Sequence, residues 1–254
     1  MGVDSGLPDF RGDRGFWKAY PPYARLGLSF VELASPRWFE SDPELAWGFY
    51  GHRLGLYRET RPHRGFEILR RWAHRAPLGA FVFTSNVDGQ FQKAGFEPSR
   101  ILECHGTIEI LQCTRRCGVG LFEAPAEPVA IDARTMRAAA PLPICPRCAA
   151  LARPNVLMFG DGDWDESRAE QQQRRMSAWL REVEATGSPL VVVECGAGTA
   201  VPTVRITSER LAHRSGAALV RINPREPSGP AFCIALAQGA LEALEAIDAR
   251  LRAQ

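Results

Sequence analysis

Two close pairs of cysteines constrain this chain more than any other feature. Cys113 and Cys117 are separated by three residues, Cys145 and Cys148 by two, and fewer than thirty residues lie between the pairs. Short loops of this kind pinch two thiolates onto one tetrahedral ion, and two of them make the four-cysteine site of a zinc ribbon. One Zn2+ ion held by Cys113, Cys117, Cys145 and Cys148 leaves no open coordination position, so the expected role is structural. It staples a module too short to carry much core of its own. Cys104, Cys195 and Cys233 lie in apolar stretches and read as core residues.

A disulfide framework is not expected from seven cysteines in 254 residues, because such frameworks belong to short secreted chains. The first residues lack the charged-then-apolar pattern of a secretion signal, and no apolar run is long enough to span a bilayer. A cytoplasmic location without a membrane partner is the expectation. A hydrophobic share of 45% with 24% charged residues is ordinary globular composition, and a net charge of +2 makes no case for nucleic acid.

Around the cysteine module the pattern is that of an α/β protein. Gly79–Thr84, Leu190–Val193 and Ala217–Ile222 are short apolar runs suited to buried strands. Helical stretches are expected from about Asp165 to Ala185, Val204 to His213 and Ala231 to Arg252. That alternation predicts a parallel sheet with helices on both faces. Residues 1–12, 64–112 and 152–254 are assigned to it. Residues 13–63, rich in aromatics, form a loop and the helical part of a smaller domain, and 113–151 its ribbon. The cleft between the two domains is the natural ligand site.

Candidate chemistry falls at the strand ends. Thr84-Ser85-Asn86-Val87-Asp88 follows an apolar strand, where an amide and a carboxylate can meet a polar ligand together; Asn86 and Asp88 also suit a helix cap. His105-Gly106 stands at a second strand end, and a histidine in a cleft serves as a general base. His52, His63, His74 and His213, in polar or arginine-rich surroundings, are expected to face solvent. Ser5-Gly6-Leu7-Pro8-Asp9-Phe10-Arg11-Gly12 has the residue types of a cofactor-gripping loop, or of an ordinary turn.

In family order these motifs resemble those of sirtuins (the Sir2 family). The chain has the Gly6–Gly12 loop, Thr84–Asp88, His105-Gly106, the four cysteines, Pro154-Asn155-Val156-Leu157-Met158-Phe159-Gly160-Asp161, Gly196-Ala197-Gly198 and Asn223. The resemblance implies a Rossmann-type domain with a zinc-ribbon and helical small domain, and NAD consumed as a co-substrate by a protein lysine deacylase. In such enzymes the acyl oxygen attacks the ribose carbon as nicotinamide leaves, and a histidine deprotonates a ribose hydroxyl. By that likeness His105 is the base, Asn86 positions ribose or water, and Val87-Asp88 hold the nicotinamide amide. Asp9, Phe10, Arg11, Ser85, Gly196, Ala197, Gly198, Asn223 and Ala240 would line the cofactor, and Val156, Phe159 and Gly160 the acyl-lysine peptide, entering as an added strand.

Trp47-Gly48-Phe49-Tyr50-Gly51-His52-Arg53 adds a Tyr-x-x-Arg pattern similar to that of the desuccinylase and demalonylase class. On a helix Tyr50 and Arg53 share a face, and a guanidinium with a phenol beside it suits a carboxylate. Tyr50 in the core with Arg53 in water is the other arrangement such a helix allows.

Departures from the family pattern cluster at the cofactor. Ser85 stands for Gln, Gln90 and Phe91 for Leu and His, and Ala197 and Gly198 for Thr and Ser. The Gly-Ala-Gly triplet expected just before Met1 is not in the sequence, and without its strand the sheet would lack a middle member. The expectation is that the natural start lies upstream, with Met1 internal. Two other activities fit these departures: a Sir2-like NAD hydrolase or ADP-ribosyltransferase, and a non-catalytic module that binds NAD or ADP-ribose.

Overall fold

In a computed structural model, which describes residues 1–8, 16, 18 and 20–253, the apolar runs become parallel strands. Strands β1 (Val82–Thr84) and β2 (Ile101–Glu103) pair in parallel, Val82 opposite Ile101. The middle of the chain supplies β3 (Gly106–Cys113), β4 (Leu121–Glu123), β5 (Ile131–Asp132), β6 (Arg137–Ala138) and β7 (Ala152–Val156). These form an antiparallel sheet in the order β4-β3-β7 and the β5-β6 hairpin. Strands β8 (Val191–Cys195), β9 (Ala218–Ile222) and β10 (Cys233–Leu236) make a second parallel sheet in the order β10-β9-β8.

The expected single parallel sheet is thus two sheets. No strand among the described residues joins β1 to β8, and each presents an open edge. The expected helix from Ala231 also needs correction, because residues 233–236 pair with β9 before the helix starts. Ladder pairing with a neighbouring strand outweighs the helix propensity of Ala235 and Leu236.

Short helices α1 (Pro21–Arg25), α2 (Phe30–Leu33) and α3 (Trp38–Ser41) lead into α4 (Pro43–Glu59). Asp42 caps α4 by accepting from the Leu45 amide at 3.2 Å, with Pro43 in its first turn. Helices α5 (Arg64–Arg75), α7 (Ser167–Ala185), α8 (Thr203–Ser215) and α9 (Ala240–Arg252) pack against the parallel strands, and the short α6 (Gln90–Lys93) follows the loop after β1. Gln172 of α7 accepts from the Glu103 amide of β2 at 3.0 Å. Asp248 of α9 accepts from Arg71 and Trp72 of α5.

The largest apolar core gathers around α4 and β3. Phe16, Tyr20, Tyr23, Trp47, Phe49 and Tyr50 are buried there against Ile108, Leu111 and Val156. Helix α4 is wrapped so closely that a β-carbon on Gly48 would lie 2.0 Å from the Met136 carbonyl oxygen, so only glycine lets the hairpin side approach. His52 and His63, expected in solvent, are half-buried. The His52 Nδ1 meets the Tyr20 hydroxyl at 3.1 Å, and the His63 Nδ1 accepts from the Gly65 amide at 2.9 Å. His74 and His213 are exposed. No described helix is long and apolar enough to cross a membrane.

Candidate active site

Because the strands of each parallel sheet run the same way, their C-terminal ends carry Asn86–Asp88, His105, the Gly196 loop and Asn223. A side-chain contact links the two sets: His105, in the turn after β2, has its Nε2 3.4 Å from the Thr203 hydroxyl, at the start of α8. Burial pulls the His105 ring below the ordinary histidine range, and a hydrogen bond with the Ser85 main chain acts the other way. The ring is therefore a neutral base at physiological pH. Gly106 beside it is fixed by sterics: its φ is 75°, and a β-carbon there would lie 1.9 Å from the Asn155 carbonyl oxygen.

Val87 and Asp88 are buried and Asn86 is exposed. The Val87 carbonyl accepts from the Ile108 amide at 3.1 Å, which ties this loop to β3. Asp88 accepts from the Gln90 amide at 3.1 Å. Burial raises its carboxyl above the usual range, opposed by that bond and by the charge of Arg53. The cap position of α6 is Gly89, so neither Asn86 nor Asp88 is its cap, although Asp88 bonds the first residue of the helix.

Gly196 turns out of β8 with φ 71°, and its amide donates to the Ile222 carbonyl at 2.8 Å. Asn223 is wholly buried. Its Nδ2 donates to the Ala197 carbonyl at 2.8 Å, and its Oδ1 accepts from the Arg225 and Glu226 amides at 3.0 Å each. It holds the two loops together, next to Gly198. Ala240 begins α9, with its side chain in an apolar cluster with Ile68, Ile222 and Leu244. Asp9, Phe10 and Arg11 lie outside the described residues.

Val156 ends β7 opposite Gly106. The Leu157 amide donates to the His105 carbonyl at 3.0 Å and the Phe159 amide to the Ala34 carbonyl at 2.9 Å. Leu157 and Phe159 are exposed, and Gly160 turns with φ 71°. Asp161, buried and paired with Arg153, accepts from the Met158 and Asp163 amides and so shapes this loop.

Tyr50 and Arg53 are both buried, Arg53 at 6% exposure, so the arrangement with Arg53 in water is excluded. The guanidinium lies 5.0 Å from the Phe49 ring, 5.3 Å from Tyr57 and 5.7 Å from Phe30 and Tyr50. Its Nε and Nη2 donate to the Tyr57 hydroxyl at 2.9 and 2.7 Å. Sequence reading missed Tyr57 and Thr203. Tyr57 had a signal, its four-residue spacing from Arg53 on one helix face. Thr203 had none, since it meets a residue 98 positions away.

The four cysteines form no disulfide, and their sulfurs lie within 4.8 Å of one another, the closest pairs at 3.5 Å. A tetrahedral Zn–S4 site has sulfurs about 3.8 Å apart, so this donor set fits a structural zinc ion. Stripping the metal with a chelator, or Cys145→Ser, is expected to lower the Tm by about 10 °C or more. Thermal melts followed by circular dichroism, with zinc measured by atomic absorption, check this. An unchanged Tm after complete metal loss contradicts it.

The Sir2 family model matches residues 1–182. The NAD-dependent protein deacylase of Mycolicibacterium paratuberculosis is 31% identical over 258 residues, covering 100% of this chain and 94% of the relative. NAD-dependent protein deacylase 2 of Pyrobaculum aerophilum is 33% identical over 232 residues, 90% of this chain and 77% of the relative. Among solved structures, a point mutant of a Sir2 homologue in complex with ADP-ribose superposes with TM-score 0.70 at 26% identity, over 98% of this chain and 87% of that one. The fold and site define a sirtuin-type α/β protein with a four-cysteine ribbon. The chain belongs to the Sir2 family.

Proposed function

We propose that this chain is an NAD-dependent protein lysine deacylase that favours acidic acyl groups, succinyl or malonyl, and releases nicotinamide and O-acyl-ADP-ribose. The observation that carries the reading is His105: a neutral base nitrogen standing where the ends of the two parallel sheets meet, 3.4 Å from the Thr203 hydroxyl. There it takes the proton from a ribose hydroxyl as the acyl group moves. Asn86, exposed beside it, orients ribose or water. Asp88, with its carboxyl raised by burial, holds the nicotinamide amide. Gly196–Gly198 approach the phosphates through main-chain amides. Asn223 and Ala240 flank the adenosine.

The acyl-lysine peptide lies as a strand along Val156–Gly160, where exposed Leu157 and Phe159 supply apolar contacts. Tyr50 and Arg53 receive the far end of the acyl chain. Arg53 also lies in the field of Asp88, so acyl pocket and nicotinamide pocket adjoin. Four reduced thiols for zinc suit the cytoplasm.

Incubation with NAD and a succinyl-lysine or acetyl-lysine peptide tests the reaction class. Nicotinamide release that depends on peptide, in step with deacylation, is expected. Release without peptide would indicate an NAD hydrolase, and NAD binding with no release a binding module.

A further inference from the structure

The arginine of the acyl pocket is held by a residue outside the Tyr-x-x-Arg pattern. Tyr50, Arg53 and Tyr57 follow one another at three and four residues along α4, which places them on one face. The Tyr57 hydroxyl accepts from both Nε and Nη2 of Arg53. A phenol oxygen has two lone pairs, so both are used, and its own O–H is left to donate. Among the described residues that proton meets no acceptor. The Tyr50 hydroxyl, on a residue 1% exposed, likewise has no hydrogen-bond partner among the described residues. Burial raises both phenols, so they stay protonated and supply no negative charge to the guanidinium.

Two buried hydroxyl donors without acceptors are costly unless a ligand supplies the acceptors. A carboxylate has about four acceptor sites and a negative charge, and it satisfies both phenols and the guanidinium together. From this we infer that Tyr57 is a specificity-determining residue for dicarboxylic acyl groups. It holds the Nε–Nη2 edge of Arg53, which fixes the plane of the fork, and it donates its own proton to the acyl carboxylate alongside Tyr50. A neutral acyl group such as acetyl uses neither function. This inference rests on the acidic-acyl reading given above.

The test is steady-state kinetics of the full chain at saturating NAD with succinyl-lysine and acetyl-lysine peptides, for the unaltered protein, Tyr57→Phe and Arg53→Met. Tyr57→Phe is expected to lower the ratio of succinyl to acetyl kcat/KM by about tenfold, with the loss in the succinyl KM. An unchanged ratio in Tyr57→Phe, while Arg53→Met collapses it, overturns the role of Tyr57 and leaves the acidic-acyl reading standing. No succinyl preference in the unaltered protein, with Arg53→Met neutral, overturns both. If Tyr57→Phe is too unstable to assay, Tyr57→His, whose neutral ring keeps one acceptor and one donor, must keep the succinyl preference. Loss of that preference with acetyl turnover intact overturns the inference.

Discussion

Replacing His105 by alanine is expected to lower kcat for deacylation by about 10²–10⁴-fold and to leave the Tm within a few degrees. The large effect follows from position. The ring stands where the ends of the two parallel sheets meet, and its Nε2 faces the Thr203 hydroxyl. The small effect on stability follows from the local bonding: the main-chain bond from the Leu157 amide to the His105 carbonyl survives the substitution. The pH profile gives a second reading of the same residue. Burial lowers the ring's pKa, so the acid limb of kcat/KM lies below the ordinary histidine value of about 6.5. As pH falls through that limb the ring takes a proton and stops acting as a base, and activity falls. Normal turnover in the alanine variant, or an acid limb above that value, contradicts the assignment.

Arg53→Met is expected to lower kcat/KM for a succinyl-lysine peptide by about 10²-fold and to affect an acetyl-lysine peptide far less. The guanidinium is buried within 5.0–5.7 Å of four aromatic rings, and two phenols stand beside it. Removing the cation leaves an acyl carboxylate entering this pocket without its charge partner, a large penalty in a site of low polarity. Methionine fills similar volume, so the fold is expected to persist, and circular dichroism melts check that. Equal losses on both acyl types would show that Arg53 serves the fold and not the acyl group.

Features written in local spacing were legible in the sequence. The ribbon was readable because each cysteine pair sits within one short loop; the fold then brings the two loops together, with Cys113 beside Cys148 and Cys117 beside Cys145 at 3.5 Å. The placement of His105 and Asp88 after strand ends was readable because each follows an apolar run. Tyr50 and Arg53 were readable because helix periodicity puts them on one face, although their burial came from distant aromatic residues.

What sequence could not give depends on contacts between distant segments. Half-burial of His52 arises from the Tyr20 hydroxyl, 32 residues away. The strand at residues 233–236 exists because β9 offers a partner. Asn223 was expected at the adenosine ribose, yet its side chain also joins the Ala197 and Glu226 loops, a role no motif announces. The division of the parallel strands into two sheets, by contrast, agrees with the expectation of a sheet that lacks a middle member.

The most direct test of the central claim is mass-spectrometric analysis of products from NAD and a succinyl-lysine peptide, run beside the acetyl-lysine peptide. The account predicts deacylated peptide, nicotinamide and O-succinyl-ADP-ribose in equal amounts, formed with a higher kcat/KM than the acetyl products. Nicotinamide and free ADP-ribose formed at the same rate with or without peptide, with the succinyl group still on lysine, would contradict it.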